Sequence, residues 1–138
     1  MEAKVTWVKD LQFVGESGTK HEIVMDADDK YGGTNKGMRP MEMLLVAIGG
    51  CTGMDVASIL QKKRQQLKGI EIRVTGINAE TYPQKFTEIE LEYVITGKDL
   101  QEAAVKKAIE SSMEKYCSVK ATLEAAAKIN YRYTIINA

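Results

Sequence analysis

The chain opens with an alternation of apolar and polar residues that predicts three short strands. Val5 and Trp7 recur at every second position in the first of them, as they do on one face of a half-buried strand. The predicted strands are Ala3–Val8, Leu11–Gly15 and His21–Met25. The following segment, Asp26–Gly37, is rich in aspartate and glycine and is predicted to be a loop.

A long apolar helix is predicted next, from about Pro40 to Lys63, because proline suits the first turn of a helix. The first half of this helix is apolar on every side, which favours a central helix wrapped by other elements. Three glycines interrupt it, and each costs about 0.5–1 kcal/mol relative to alanine. They are Gly49, Gly50 and Gly53. We therefore expect another backbone or a ligand to approach closely around Cys51.

The second half of the chain alternates strands and helices. In two predicted strands apolar and polar residues alternate, so that one face is exposed to solvent, and this pattern predicts antiparallel pairing. Asp99 with Glu102 resembles a capping box at the start of a helix. The predicted elements, in order, are strands Gly69–Asn78 and Phe86–Thr96, helices Asp99–Lys115 and Ser118–Lys128, and strand Ile129–Ile136. This order predicts an α+β fold in one domain that spans residues 1–138.

Composition narrows the classes of function. The 138 residues carry 19 basic and 19 acidic side chains, so the formal net charge is zero, which argues against a nucleic-acid partner. No signal peptide and no apolar run of about 20 residues are present, so we expect a cytoplasmic protein with no membrane partner. With His21 as the only histidine and two cysteines, one chain falls short of a four-ligand metal site. We expect no metal and no cofactor.

Cys51 and Cys117 are the candidate redox-active residues. Cytoplasmic thiols are kept reduced, so a disulfide between them is expected to be transient rather than structural. Asp55, one turn after Cys51 on the same helix face, discourages a Cys51 thiolate. Cys117 lies near the predicted start of the last helix, and local electrostatics make it the more readily ionised thiol. The alternative is that both cysteines simply pack.

Arg39 and Glu42 are the remaining charged candidates. Glu42 precedes Cys51 by nine residues, roughly 13–14 Å along a helix, and Arg39 lies farther away. Neither can touch Cys51 of its own helix, so either one serves it only from a neighbouring subunit. An activated thiol therefore predicts a dimer. The alternative for Arg39 is a surface charge, and for Glu42 a first-turn carboxylate that favours the helix dipole.

Three segments together resemble a known family. They are residues 39–45 (Arg-Pro-Met-Glu-Met-Leu-Leu), 49–52 (Gly-Gly-Cys-Thr) and 114–119 (Glu-Lys-Tyr-Cys-Ser-Val). This pattern is similar to the OsmC/Ohr family of osmotically inducible and organic hydroperoxide resistance proteins, in particular to its OsmC-like branch. The order of the predicted elements fits that family over essentially the whole chain.

The resemblance implies a fold and an activity. Family members form intertwined α+β homodimers in which antiparallel sheets wrap around long central helices, with the cysteines at the subunit interface. They reduce organic hydroperoxides in oxidative-stress defence. Carried over, Cys51 is the peroxidatic cysteine and Cys117 the resolving one. An external dithiol, a lipoylated protein in the Ohr subgroup, reduces the resulting disulfide.

The sequence departs from the family pattern near the thiol. Characterised peroxidases place a glutamate directly after the proline and pair it with an arginine from the preceding strand region. Here Met41 follows Pro40, the acid is Glu42, and the segment His21–Asp29 contains no arginine. This departure keeps a second hypothesis open, a non-catalytic dimer that binds a small apolar ligand in the thiol pocket. The seven methionines suit such an adaptable lining.

Overall fold

A computed structural model describes all residues, 1–138, and the chain forms two compact units. The first unit comprises Met1–Leu44 and the second Leu45–Ala138. The long helix begins at the end of the first unit and continues into the second. The single domain over residues 1–138 stays a prediction.

The first unit contains a three-stranded antiparallel sheet in the order β1-β2-β3. Its strands are β1 (Ala3–Lys9), β2 (Gln12–Ser17) and β3 (Glu22–Met25). They confirm the three predicted strands, with ends that differ by one or two residues. One 3-10 turn, Asp29–Tyr31, lies in the segment predicted to be a loop.

Asp26 organises that loop. Its carboxylate is only 3% exposed and accepts hydrogen bonds from the Thr34 hydroxyl at 2.6 Å, the Ala27 amide at 2.7 Å and the Lys36 amide at 3.1 Å. The Thr34 hydroxyl, helped by these amides and opposed by burial, lowers the pKa of Asp26 from 3.8 to about 2. The loop that leads to the long helix is thus held by one ionised side chain.

The long helix, α1, spans Pro40–Lys62 and confirms the predicted helix almost to the residue. By length and composition alone it could cross a bilayer, a test that the core helix of a globular protein also passes. In the second unit one stripe of α1 is fully buried, with members spaced four residues apart. They are Ile48, Thr52, Val56 and Leu60. Residues at this spacing share one helix face, so the stripe fixes which side of α1 enters the core.

The sheet of the second unit has the order β4-β5-β6. Its strands are β4 (Gln66–Asn78), β5 (Phe86–Lys98) and β6 (Lys128–Asn137). The predicted antiparallel pairing of β4 with β5 is confirmed. The last strand differs from a purely antiparallel expectation, because β6 runs parallel to β5. The helical segment between them carries the chain back to the starting end of the sheet, as a parallel connection requires.

The helical segment is more broken than predicted. It contains α2 (Glu102–Ser111), a π-helical turn (Ser112–Tyr116) and α3 (Ser118–Leu123). The capping box at Asp99 is wrong: Asp99 adopts a left-handed φ of 52°, and Gln101 is the N-cap with no side-chain bond. The predicted helix Ser118–Lys128 ends early, at Leu123.

The core of the second unit lies between α1, α2 and the inner face of β5. Alternate residues of β5 point into it, and they meet the apolar stripe of α2. The main contributors are Leu91, Tyr93, Ile95, Val105, Ala108 and Ile109. The α+β class predicted from the sequence is confirmed.

Candidate active site

The structure brings the two cysteine thiols together. Cys51 lies on α1 and is half-buried, whereas Cys117 lies between the π-helical turn and α3 and is only 4% exposed. Both are free thiols, and Cys51 lies near enough to Cys117 to contribute to the raised pKa of the Cys117 thiol. Their catalytic roles stay a prediction.

Cys117 is the N-cap of α3. Its sulfur accepts a hydrogen bond from the Lys120 amide at 3.4 Å. Burial nevertheless raises the pKa of the Cys117 thiol from 9.0 to about 11; the Lys120 amide opposes the rise, and the nearby Cys51 and Asp55 add to it. The prediction that Cys117 ionises readily is therefore wrong. Local sequence showed the helix start but not the burial that outweighs it.

A chain of four hydrogen-bonded side chains lies beside the thiols. The Ser112 hydroxyl donates to the Asp55 carboxylate at 2.8 Å. The Thr52 hydroxyl lies 2.7 Å from that of Ser112 and 2.8 Å from that of Tyr93. Thr52, Ser112 and Tyr93 are each 0% exposed. We call these four residues the buried polar chain.

The direction of every bond in the buried polar chain follows from proton counting. A hydroxyl has one proton to donate. Ser112 gives its proton to Asp55, so Thr52 must donate to Ser112, and Tyr93 must donate to Thr52. Burial raises the pKa of Tyr93 to about 12, which keeps that phenol protonated and able to donate. The chain therefore has one donor order, from Tyr93 through Thr52 and Ser112 to Asp55.

Sequence reasoning missed this network. Thr52 carried a readable signal, since it is the one polar member of the four-residue spacing shared by Ile48, Val56 and Leu60. Tyr93 continues the alternation of its strand, which does not indicate a partner for its hydroxyl. Nothing in the local pattern pointed to Ser112.

Arg39 and Glu42 lie in the first unit and cap α1. The Glu42 carboxylate accepts a hydrogen bond from the Arg39 amide at 2.8 Å, as in one half of a capping box. The Arg39 guanidinium donates to the Gly37 carbonyl at 3.1 Å and lies 4.0 Å from Asp28. These partners all belong to the first unit. The catalytic roles predicted for Arg39 and Glu42 stay predictions.

An apolar groove of about 600 Å³ lies between α1 and β4, and the residues of α1 that line it are not members of the buried stripe. Its lining comprises Leu45, Val46, Gly49, Gly50, Gly53, Met54, Ala57, Ile70, Ile72 and Val74. A methyl group at Gly49 or Gly53 would come 3.2 Å from a side-chain tip of β4, and one at Gly50 would meet nothing within 4 Å. Side chains of β4, rather than a backbone or a ligand, therefore approach Gly49 and Gly53 closely, and nothing in the second unit approaches Gly50.

No group of three or more His, Cys, Asp or Glu side chains converges on a point that could hold a metal ion. The chemistry available at this site is that of two adjacent thiols next to a buried polar chain.

Comparison with known proteins identifies the family. The sequence model for OsmC-like proteins matches residues 33–132, which is more than half of the chain. The chain belongs to the OsmC-like family. Its sequence is also 45% identical to protein YhfA of Escherichia coli K12 over 138 residues, with both proteins covered in full.

Solved structures share the OsmC-like fold. A hypothetical protein from Aquifex aeolicus VF5 superimposes with a TM-score of 0.81 at 36% identity, and 97% of this chain and 96% of that one are covered. The organic hydroperoxide resistance protein OhrB of Bacillus subtilis gives a TM-score of 0.62 at 17% identity, with 97% and 98% covered. At that identity the second likeness shows the fold alone.

Proposed function

We propose that this OsmC-like protein is a thiol-dependent peroxidase that reduces organic hydroperoxides in the cytoplasm. The observation that carries the proposal is the juxtaposition of two free thiols, one half-buried and one buried. Membership of the OsmC-like family, in which some structural relatives are named for organic hydroperoxide resistance, supports it.

The two thiols take different roles because their surroundings differ. At neutral pH Cys117, with a pKa of about 11, is a neutral thiol and a poor nucleophile. Cys51 is the more accessible sulfur. We therefore assign the attack on peroxide to Cys51 and the resolving role to Cys117.

The reaction runs in two oxidation steps. The Cys51 thiolate attacks the distal oxygen of the hydroperoxide; the O–O bond breaks, and the departing alkoxide takes a proton and leaves as an alcohol. Cys51 is then a sulfenic acid. The Cys117 sulfur attacks the Cys51 sulfur, water leaves, and a Cys51–Cys117 disulfide forms. An external dithiol, for which we propose a lipoylated protein, returns both thiols to the reduced form.

A second copy of the chain completes the site in this proposal. Val46 and Met54 on the groove side of α1 are 56% and 76% exposed, an arrangement that suits coverage by a partner in an intertwined homodimer. Arg39 and Glu42 of the partner subunit then approach Cys51 and favour its thiolate.

Subunit complementation tests this arrangement. Cys51→Ser and Glu42→Gln are each expected to lower turnover strongly. When the two variants are unfolded, mixed and refolded, half of the dimers contain one chain of each variant. In such a dimer only one of the two sites has both wild-type Cys51 and the partner's intact Glu42, and only that site is active. The mixture should recover about a quarter of wild-type activity if Glu42 acts across the dimer. No recovery would show that Glu42 acts within its own chain, and a Glu42→Gln protein with wild-type turnover would show that Glu42 does not act at all.

Single-turnover kinetics test the activity itself. We expect the wild type to react faster with cumene hydroperoxide than with hydrogen peroxide, and Cys51→Ser to lose the reaction. Cys117→Ser should stop after one turnover with a sulfenic acid that dimedone traps. Wild-type thiols that stay free at pH 7 with a stoichiometric organic hydroperoxide would contradict the proposal.

The second candidate is a non-catalytic dimer that binds a small apolar ligand. The apolar groove favours it, since its volume of about 600 Å³ is that of a typical ligand pocket. A peroxide-inert protein whose groove binds an apolar fluorescent probe, with binding lost in Gly50→Leu, would favour this function over the first.

A further inference from the structure

We propose that Ser112 is a positioning residue that sets the Cys117 thiol against Cys51. The proposal rests on the proposed function in treating these thiols as a redox pair. Ser112 is suited to this role because it contacts the segments that carry both cysteines. Its backbone carbonyl binds the Cys117 amide, and its hydroxyl binds residues of the helix that carries Cys51.

The backbone of Ser112 holds Cys117. The Cys117 amide donates to the Ser112 carbonyl at 2.8 Å, which closes the π-helical turn Ser112–Tyr116. Bonds from residue i to i+5 are rare, and single π turns are frequent at functional sites. This bond fixes where the chain leaves the turn and therefore where the Cys117 side chain begins.

The hydroxyl of Ser112 holds the helix that carries Cys51. It lies 2.7 Å from the hydroxyl of Thr52, the residue after Cys51, and donates to Asp55 at 2.8 Å. Asp55 lies one turn after Cys51 on the same face of α1. One buried residue thus links the backbone of Cys117 to two residues that follow Cys51 on α1.

This link has little freedom to rearrange. Each hydroxyl of the buried polar chain uses its only proton, and Thr52, Ser112 and Tyr93 are fully buried. Moving Ser112 leaves a buried donor without an acceptor, which is costly away from water. The thiol pair is therefore held in place before any oxidant arrives, and its effective concentration is high.

Equilibration with glutathione measures that effective concentration without any peroxide. Oxidised glutathione takes two electrons and two protons from the Cys51 and Cys117 thiols; its S–S bond breaks to give two reduced molecules as the protein disulfide forms. After an acid quench, mass spectrometry of the intact protein gives the oxidised fraction at each ratio of reduced to oxidised glutathione.

Ser112→Ala removes the hydroxyl link and keeps the backbone carbonyl. We expect it to lower the effective concentration by about tenfold or more, which corresponds to about 30 mV. The matched control is Ser111→Ala, since Ser111 makes no side-chain cap bond; it should stay within about twofold of the wild type. Loss of global stability does not mimic the result, because the measurement is made where the folded state is fully populated.

A second pair of variants covers the case in which Ser112→Ala fails to fold. Thr52→Val removes the partner hydroxyl at nearly constant volume, and Thr52→Ser keeps it. The valine variant should behave like Ser112→Ala, and the serine variant like the wild type. Equal effective concentrations in the wild type and in the hydroxyl-deleted variants would overturn the proposal.

The outcome is separable from that of the proposed function. If the protein is inert to peroxide but Ser112→Ala still lowers the effective concentration measured with glutathione, the role of Ser112 is supported and the peroxidase activity is contradicted. If the protein reduces peroxide but all variants have equal effective concentrations, the peroxidase activity is supported and the role of Ser112 is contradicted.

Discussion

Two faces of the same helix differ in how much of them the chain itself completes. One face of α1 carries Thr52 and Val56, is fully buried within the second unit, and has every hydroxyl paired. The other carries Val46 and Met54 and is left open along the apolar groove. Both faces are built from similarly apolar sequence. Hydrophobicity alone therefore does not distinguish a side that packs within the chain from a side that the chain leaves exposed.

The two faces also differ in what they require. The thiol pair and the buried polar chain are complete within one polypeptide. For the groove side we propose a second copy of the protein or a ligand.

The largest effect is expected from a charge placed on each face. Val56 is 0% exposed, so Val56→Asp buries an unpaired carboxylate and should cost more than about 4 kcal/mol, enough to prevent folding. Met54→Asp, at a position 76% exposed, should leave a folded chain that no longer dimerises. Circular dichroism and sedimentation equilibrium measure the two outcomes. A Met54→Asp protein that remains a dimer would show that this face is not the interface.

Removal of hydroxyls from the buried polar chain should lower stability in a set order. Thr52→Val leaves the Tyr93 donor without an acceptor and should cost about 1–3 kcal/mol. Tyr93→Phe removes only the terminal donor and should cost about 1 kcal/mol or less. Urea unfolding measures both free energies. The reverse order would mean that the donor order derived for the chain is wrong.

Gly50→Ala tests what covers the open face. Within the second unit an added methyl group at Gly50 meets nothing within 4 Å, so the substitution itself favours the helix by about 0.5–1 kcal/mol. If a second copy packs there, overpacking by about 1–3 kcal/mol should weaken the dimer roughly five- to hundredfold. An unchanged dissociation constant, together with increased stability, would place the partner elsewhere.

Another expected effect is a gradual loss of stability in alkali. The pKa of Cys117 is raised from 9.0 to about 11, so the unfolded chain gives up this proton before the folded one. Its contribution to stability is complete below pH 9 and is lost as the pH rises through about 11. Urea unfolding of the wild type and Cys117→Ser between pH 8 and pH 11 isolates it. Equal slopes in the two proteins would show that Cys117 is not buried as a neutral thiol.

Elements with strong local signals were predictable from the sequence. Pro40 at the first helical position and the long apolar pattern located α1 within one residue. Alternation located all six strands. These signals are local, and each depends only on residues close together in the chain.

Features that depend on distant partners were not predictable. The parallel pairing of β6 with β5 depends on where the intervening helices return the chain, which the pattern of β6 does not encode. The burial that raises the pKa of Cys117 and the meeting of Thr52 with Ser112 likewise arise from packing between remote segments. A capping box was predicted at Asp99 because the residue types fitted, yet its left-handed backbone excludes it.

In the proposed mechanism, Cys51 and Cys117 of one chain form a reactive pair. The most direct test is the intact mass of the wild type under non-reducing conditions after one equivalent of cumene hydroperoxide, with peptide mapping of the product. We expect a species at the mass of a single chain, lighter by two hydrogens, with Cys51 joined to Cys117. An unchanged mass, or a covalent dimer linked between chains, would contradict it.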